Sequence, residues 1–203
     1  MINCLSYNLS GTFGKMKWLK QRDIIDESID WAGALVFQAL HDMDFKFRFG
    51  ERRLEKIGDD IDGVQNEDSG FLMRWKNKIE KNGYNHLLVC KLAETLEKKL
   101  THNTQNMELK RNAQDMIIGS IIVIIYKAAF RYDFEKCDIL KIMEKLKLYE
   151  YLIRKNELTI YDFMKCLQRE CNVQFPVLDE YETKHGKVDI GPRHAIYIKE
   201  RNK

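Results

Sequence analysis

Residues 29–57 read IDWAGALVFQALHDMDFKFRFGERRLEKI, and this stretch sets the pattern for the rest of the chain. From Trp31 to Leu40, apolar side chains fall on almost every side of a helix, which is typical of a helix at the centre of a bundle. Gly33 lowers the intrinsic stability of that helix by about 1 kcal/mol relative to alanine, so we expect a neighbouring helix to pack closely there. A loop of alternating aromatic and basic residues follows, and then a short basic helix.

The composition allows long helices along almost the whole chain. Of 203 residues, 44% are apolar and 32% are charged, which is the balance of a folded globular protein. The two prolines are Pro176 and Pro192, so the residue that breaks helices most reliably is absent before position 176. We therefore predict a mostly α protein, a multi-helix bundle of about eight helices.

The most apolar segment is MIIGSIIVIIY, residues 116–126. Its β-branched side chains would also suit a buried strand, but the apolar run continues to Phe130 and exceeds the usual length of a strand. We therefore predict a buried helix. The segment has about half of the ~20 residues that span a bilayer, so we expect no contact with a membrane.

The cysteines and the N-terminal sequence indicate a compartment. An odd number of cysteines cannot all pair within the chain, and no signal-peptide pattern is present, so we expect reduced thiols in a cytoplasmic protein. The five cysteines are Cys4, Cys90, Cys137, Cys166 and Cys171.

Two halves of the chain carry the same order of features, at an offset of about 85–88 residues. Residues 33–37, GALVF, match residues 119–123, GSIIV, and the loop residues 47–49, FRF, match residues 132–134, YDF. The order predicts two related helical units, residues 1–100 and 101–203, which either form separate domains or pack as one. An internal duplication would explain it, although apolar helices also resemble one another by chance. Further matches are Leu72 with Ile160, Trp75 with Phe163, and Ile79 with Leu167.

The two ends of the chain show a different pattern from the rest. Residues 2–9 alternate weakly between apolar and polar side chains, and residues 188–190 and 195–198 are rich in β-branched and aromatic side chains. We predict a small β element in which the last strand pairs with the first.

Five basic residues around the loop form the candidate binding site, which we call the basic elbow: Lys46, Arg48, Arg52, Arg53 and Lys56. Such cations can contact phosphates, and exposed phenylalanines beside them can stack on bases. The alternative is that the phenylalanines anchor the loop in the core and the cations lie outside it. A formal net charge of +3 is too small to decide between the two.

The segment Phe47-Arg48-Phe49-Gly50-Glu51-Arg52-Arg53-Leu54 also resembles a family. The pattern aromatic-x-Phe-Gly-x-x-Arg-Leu is similar to a segment of small, largely uncharacterised phage and prophage proteins of Gram-positive bacteria. Residues 158–173 resemble the closing helix of those proteins. The resemblance covers about forty residues in two different halves of the chain, and it implies a phage or mobile-element source without a known activity.

Patterns for catalysis, metals and cofactors are weak in this sequence. The five histidines share no metal-ligand spacing with one another or with the cysteines, so we predict no cofactor. A cysteine nucleophile would need a basic partner in space, and His41 or His86 could supply it. A metal-dependent helical hydrolase is a further alternative, with a carboxylate cluster of Glu94, Glu97, Glu108 and Asp115.

These observations favour a non-enzymatic interaction protein over an enzyme. We expect a phage or mobile-element protein that binds a host macromolecule, either a protein or a ribonucleoprotein. A defence complex such as a CRISPR effector is one such partner, and the protein would then be an inhibitor. The alternatives are direct nucleic-acid binding through the basic elbow and the metal-dependent hydrolase.

Overall fold

The structure is a computed structural model that describes residues 15–43, 49–62, 71–102 and 104–191. Within these residues it contains eight helices and no strand, which confirms the predicted mostly α bundle. The helices are α1 (Lys15–His41), α2 (Glu51–Asp62), α3 (Phe71–Glu80), α4 (His86–Leu100), α5 (Met107–Tyr132), α6 (Lys136–Arg154), α7 (Ile160–Cys171) and α8 (Pro176–His185).

The two long helices α1 and α5 pack against each other at the centre of the bundle. A Cβ atom built on Gly33 would lie 4.0 Å from Ile124 Cδ1, which is an ordinary van der Waals distance. The expected neighbour of Gly33 is therefore α5, but the packing leaves room for a methyl group. Phe49, which follows α1, contacts Tyr132 at the end of α5, with ring centroids 5.0 Å apart. The two helices therefore run in the same direction.

Four of the remaining helices pack against the central helix of the other predicted unit. Helices α2 and α3 of the first predicted unit pack against α5, and helices α6 and α7 of the second pack against α1. Buried apolar residues from all eight helices belong to a single core cluster, so the two units share one core. The helices that match in sequence occupy corresponding places: α1 and α5 form the central pair, and α3 and α7 each pack on the central helix of the other unit. The duplication itself stays a prediction.

By length and composition, α5 could span a membrane, and it is the one described helix of which this is true. Of the residues in its most apolar stretch, 44% are buried inside the protein. It contacts α1, α2, α3 and α4. The core helix of a soluble bundle can have the same length and composition.

The start of α7 shows how local sequence fixes a helix boundary. The Thr159 side chain accepts a hydrogen bond from the backbone N–H of Asp162, and the Asp162 carboxylate accepts one from the backbone N–H of Thr159. This reciprocal pair is a capping box. It fixes the first turn of α7 directly after Thr159.

The sequence patterns do not predict α8. Pro176 suits the first turn of a helix, but Phe175 before it supplies no side-chain cap. The backbone N–H of Val177, at the start of α8, interacts with the Asp30 carboxylate of α1 and lowers its pKa against the effect of burial. Leu178 is fully buried and fixes the new helix to the core. These tertiary contacts, which the local sequence does not reveal, hold α8 in place.

The predicted β element is wrong where the structure describes it. Val188 and Ile190 lie in irregular backbone, and the N–H of Val188 donates to Glu182 Oε1 at 3.0 Å. A side chain, and not a neighbouring strand, therefore satisfies this backbone donor. Residues 2–9 and 195–198, which complete the predicted element, lie outside the described residues.

The position of Asp30 predicts how stability depends on pH. Burial, together with the nearby carboxylates of Asp26 and Glu27, raises the pKa of Asp30 to about 6 from its ordinary 3.8. Between pH 4 and pH 6 the folded chain therefore holds a proton that the unfolded chain has released, so the contribution of Asp30 to stability falls as pH rises. Asp30→Asn keeps an oxygen for Val177 and removes the charge.

We expect Asp30→Asn to increase the free energy of unfolding at pH 7.5 by up to about 3 kcal/mol and to have little effect at pH 4. Urea unfolding followed by circular dichroism at pH 4, 5.5 and 7.5 measures this difference. The control is Asp115→Asn, since Asp115 is exposed on α5. An effect of Asp30→Asn that is the same at all three pH values would contradict the prediction.

Candidate functional site

The structure describes three of the five residues of the basic elbow. Arg52 and Lys56 are exposed on α2. Lys46 and Arg48 lie outside the described residues. The described surface of α2 is mixed in charge, so the basic elbow stays a prediction as a binding site. The acidic residues exposed beside the two cations are Glu51, Glu55 and Asp59.

Arg53 belongs to an aromatic cluster that joins the ends of α1 and α5. Its guanidinium carbon lies 5.3 Å from the ring centroid of Phe49 and 5.4 Å from that of Tyr132. The Tyr132 hydroxyl donates a hydrogen bond to the Arg53 carbonyl at 3.3 Å. Phe49 is fully buried and also meets Phe134, with ring centroids 5.8 Å apart. Phe49 therefore anchors the elbow in the core, as in the alternative interpretation.

His41 links this cluster to the end of α7. Its Nδ1 atom lies 2.8 Å from the Phe49 carbonyl oxygen, and its Nε2 atom lies 2.7 Å from Glu170 Oε2. A carbonyl oxygen only accepts hydrogen bonds, so Nδ1 carries a proton. The ring of His41 therefore bridges the Phe49 carbonyl and the Glu170 carboxylate.

Cys171 lies against His41 but is not arranged as a catalytic nucleophile. Its Sγ atom is 3.2 Å from His41 Nδ1, and Glu170 on the other ring nitrogen completes the set of contacts found in catalytic triads. However, the Nδ1 proton points towards the Phe49 carbonyl, so this nitrogen cannot accept the thiol proton. Cys171 is also only 2% exposed. The group holds α1, the elbow and α7 together.

A second cluster of buried polar side chains surrounds Asp42, the residue after His41. The Tyr149 hydroxyl of α6 donates to Asp42 Oδ2 at 2.5 Å, and Gln38 Nε2 donates to Asp42 Oδ1 at 3.0 Å. Tyr149 and Gln38 are fully buried. Buried carboxylates require such donors, because an unpaired one loses its hydration without compensation. These bonds fix α6 to the end of α1.

The other predicted cysteine partner, His86, contacts Cys90 within one turn of α4. The Cys90 Sγ atom lies 3.5 Å from His86 Nε2. Burial and the nearby Lys76 lower the pKa of His86, which favours the neutral imidazole. Within the part of the chain that the structure describes, the four cysteines form no disulfide.

The carboxylates of the hydrolase alternative do not form a cluster. In the described ranges, no three His, Cys, Asp or Glu side chains are placed to hold a metal ion. Glu97 is buried and accepts hydrogen bonds from the Thr101 hydroxyl and from Gln114 Nε2, the latter at 3.2 Å. The other three, Glu94, Glu108 and Asp115, are exposed.

Aromatic and basic side chains come together between α3 and α5. The sequence patterns did not predict this surface. Trp75 stacks on Tyr126 with ring centroids 4.4 Å apart and an interplanar angle of 8°. Phe130, one turn further along α5, follows Tyr126 at 6.3 Å and 15°. We call Trp75, Tyr126 and Phe130 the aromatic ladder. It passes from the buried Trp75, 6% exposed, to Phe130, which is 76% exposed.

Cations lie over the rings of the aromatic ladder. Lys127 Nζ is 4.8 Å from the Trp75 ring centroid, and Lys78 Nζ is 5.6 Å from that of Tyr126. Lys78 also donates to the Tyr126 hydroxyl at 3.4 Å. At the same end of α5, Arg131 forms two hydrogen bonds with Asp60, one of them 2.7 Å, and lowers the pKa of that carboxyl. The ladder and the two lysines form one mixed surface, the ladder face.

Comparisons with protein-family models, curated proteins and solved structures found no match. The candidate site therefore rests on the geometry of this chain alone. The sequence alone could have revealed only part of the ladder face. Tyr126, Lys127 and Phe130 are spaced so that they lie on one side of a helix. Trp75 and Lys78 come from a different helix.

The two neighbouring arginines of the elbow should differ in their effect on stability. We expect Arg53→Ala to decrease the free energy of unfolding by about 1–2 kcal/mol, because the cation over Phe49 and Tyr132 is lost together with its packing. Arg52→Ala, the matched control, should change it by less than about 0.5 kcal/mol. Urea unfolding at neutral pH measures both. Equal effects would show that the contact with the two rings contributes nothing.

The Asp42 group gives a second pair of variants on one helix. We expect Tyr149→Phe to decrease the free energy of unfolding by about 1.5–3 kcal/mol, because a buried carboxylate loses a donor. Tyr151→Phe, also on α6, should have little effect because Tyr151 is 45% exposed. Thermal and urea unfolding of the two variants test this. A Tyr149→Phe protein as stable as Tyr151→Phe would refute the role of the hydroxyl.

Proposed function

We propose that this protein is a non-enzymatic interaction protein of phage or mobile-element type that binds the nucleic acid of a host ribonucleoprotein. The observation that carries the proposal is the ladder face, where Lys78 and Lys127 lie over the rings of Tyr126 and Trp75. Cations contact the phosphates of nucleic acids, and aromatic rings contact their bases.

The balance of charge favours α3 over α2 as the binding helix. Helix α2 carries three basic and five acidic residues, whereas α3 carries three basic residues and one acidic residue. A polyanion is therefore repelled less by α3. Arg52 and Lys56 of the basic elbow are the candidates for an alternative contact.

The host context of the proposal is supported by the resemblance of residues 47–54 to phage and prophage proteins. A phage protein that occupies the nucleic acid of a host complex would inhibit that complex. A nucleic-acid-guided defence complex, such as a CRISPR effector, is the partner that fits this role. The interaction would require no catalytic group, and the buried His41 and Cys171 are not needed for it.

Binding to labelled RNA and DNA, measured by fluorescence anisotropy over a range of salt concentrations, tests the proposal. We expect binding at low salt that weakens as salt increases. Lys78→Gln with Lys127→Gln should decrease the slope of log Kd against log salt concentration by about one for each lysine. The absence of any binding at low ionic strength would overturn the proposal.

A matched pair of charge changes outside α3 and α5 provides the control. Lys98→Gln with Lys155→Gln removes the same charge from exposed positions at the ends of α4 and α6. We expect that variant to keep the salt slope of the unchanged protein. If both double variants lowered the slope equally, binding would reflect net charge and not the ladder face.

A further inference from the structure

Phe130 is an unusual residue to find at the surface. It is 76% exposed, although it lies on the most apolar helix of the protein and next to a stacked pair of rings. Its ring is tilted by only 15° from that of Tyr126. The three rings of the aromatic ladder thus have nearly the same orientation, and the outermost of them is open to solvent.

We infer that Phe130 is a stacking site for an unpaired base, so that the ladder face selects single-stranded nucleic acid. This inference rests on the proposed function and adds the class of nucleic acid to it. A base that stacks on Phe130 would add a fourth ring to the aromatic ladder of Trp75, Tyr126 and Phe130. Lys78 and Lys127, which lie over the inner rings, are the cations available to the phosphates of the same strand.

The inner rings hold this platform in place. Trp75 is buried between α3 and α5, and the Tyr126 hydroxyl accepts a hydrogen bond from Lys78. Arg131, the residue after Phe130, is held by Asp60 of α2 through two hydrogen bonds. The backbone of α5 is therefore held on both sides of Phe130. Stacking of a base on this ring then requires no ordering of the helix that carries it.

Single strands and duplexes should differ at such a site. In a duplex the faces of the bases are already stacked on one another, so the protein meets only base edges and phosphates. An exposed ring therefore adds nothing to duplex binding. In a single strand every base has a face that can stack on an aromatic side chain, whatever its sequence.

The test compares a labelled single-stranded oligonucleotide with the duplex of the same sequence, by fluorescence anisotropy at one low salt concentration. We expect Phe130→Ala to weaken single-strand binding by at least about tenfold and to leave duplex binding unchanged within about twofold. Phe130→Tyr keeps the ring and should retain single-strand binding. Leu87→Ala is the control for loss of an exposed apolar side chain, since Leu87 is 81% exposed on α4.

The outcomes separate this inference from the proposed function. If the protein binds neither form, the proposed function fails, and this inference fails with it. If it binds both forms equally and Phe130→Ala changes nothing, only the inference fails. A dimer in sedimentation experiments that Phe130→Ala dissociates would also overturn it, because Phe130 would then contact a second copy of the chain.

Discussion

The packing of α1 against α5 is the interaction on which the rest of the structure depends. Every residue from Trp31 to Met43 is buried, and so is every residue from Ile121 to Ile125. Each large apolar side chain buried in this way contributes about 1.5–3 kcal/mol. The other six helices pack around this pair. Helices α2 and α3 contact α5, α6 and α7 contact α1, and α4 contacts both. Helix α8 contacts α7.

The features that follow from short-range sequence were predictable. The apolar pattern of residues 31–40 gives a central helix, and the Thr159 cap gives the start of α7. Features that depend on distant residues were not. Helix α8 is held by the burial of Leu178 in the shared core, and the backbone at Val188 is held by Glu182 where a strand was expected. In both cases a contact with residues outside the local segment decides the local structure.

The candidate site shows the same division. Sequence identifies the arginines of α2 as neighbours, but only the fold shows that Arg53 contacts two aromatic rings while Arg52 faces solvent. The aromatic ladder could not be predicted, because its first ring comes from α3 and the other two from α5. The helix with the most apolar segment of the chain thus presents a basic and aromatic surface where α3 packs against its last turns.

The common direction of α1 and α5 has an electrostatic consequence. The C-terminal end of each helix carries a partial negative charge of about half an elementary charge from its aligned peptide dipoles. These two ends meet at the elbow, and the end of α7 joins them where Cys171 contacts His41. The last turns of the three helices contain His41, Arg131 and Arg169. Basic side chains in these last turns are placed to offset the three converging dipoles, a role that requires no partner.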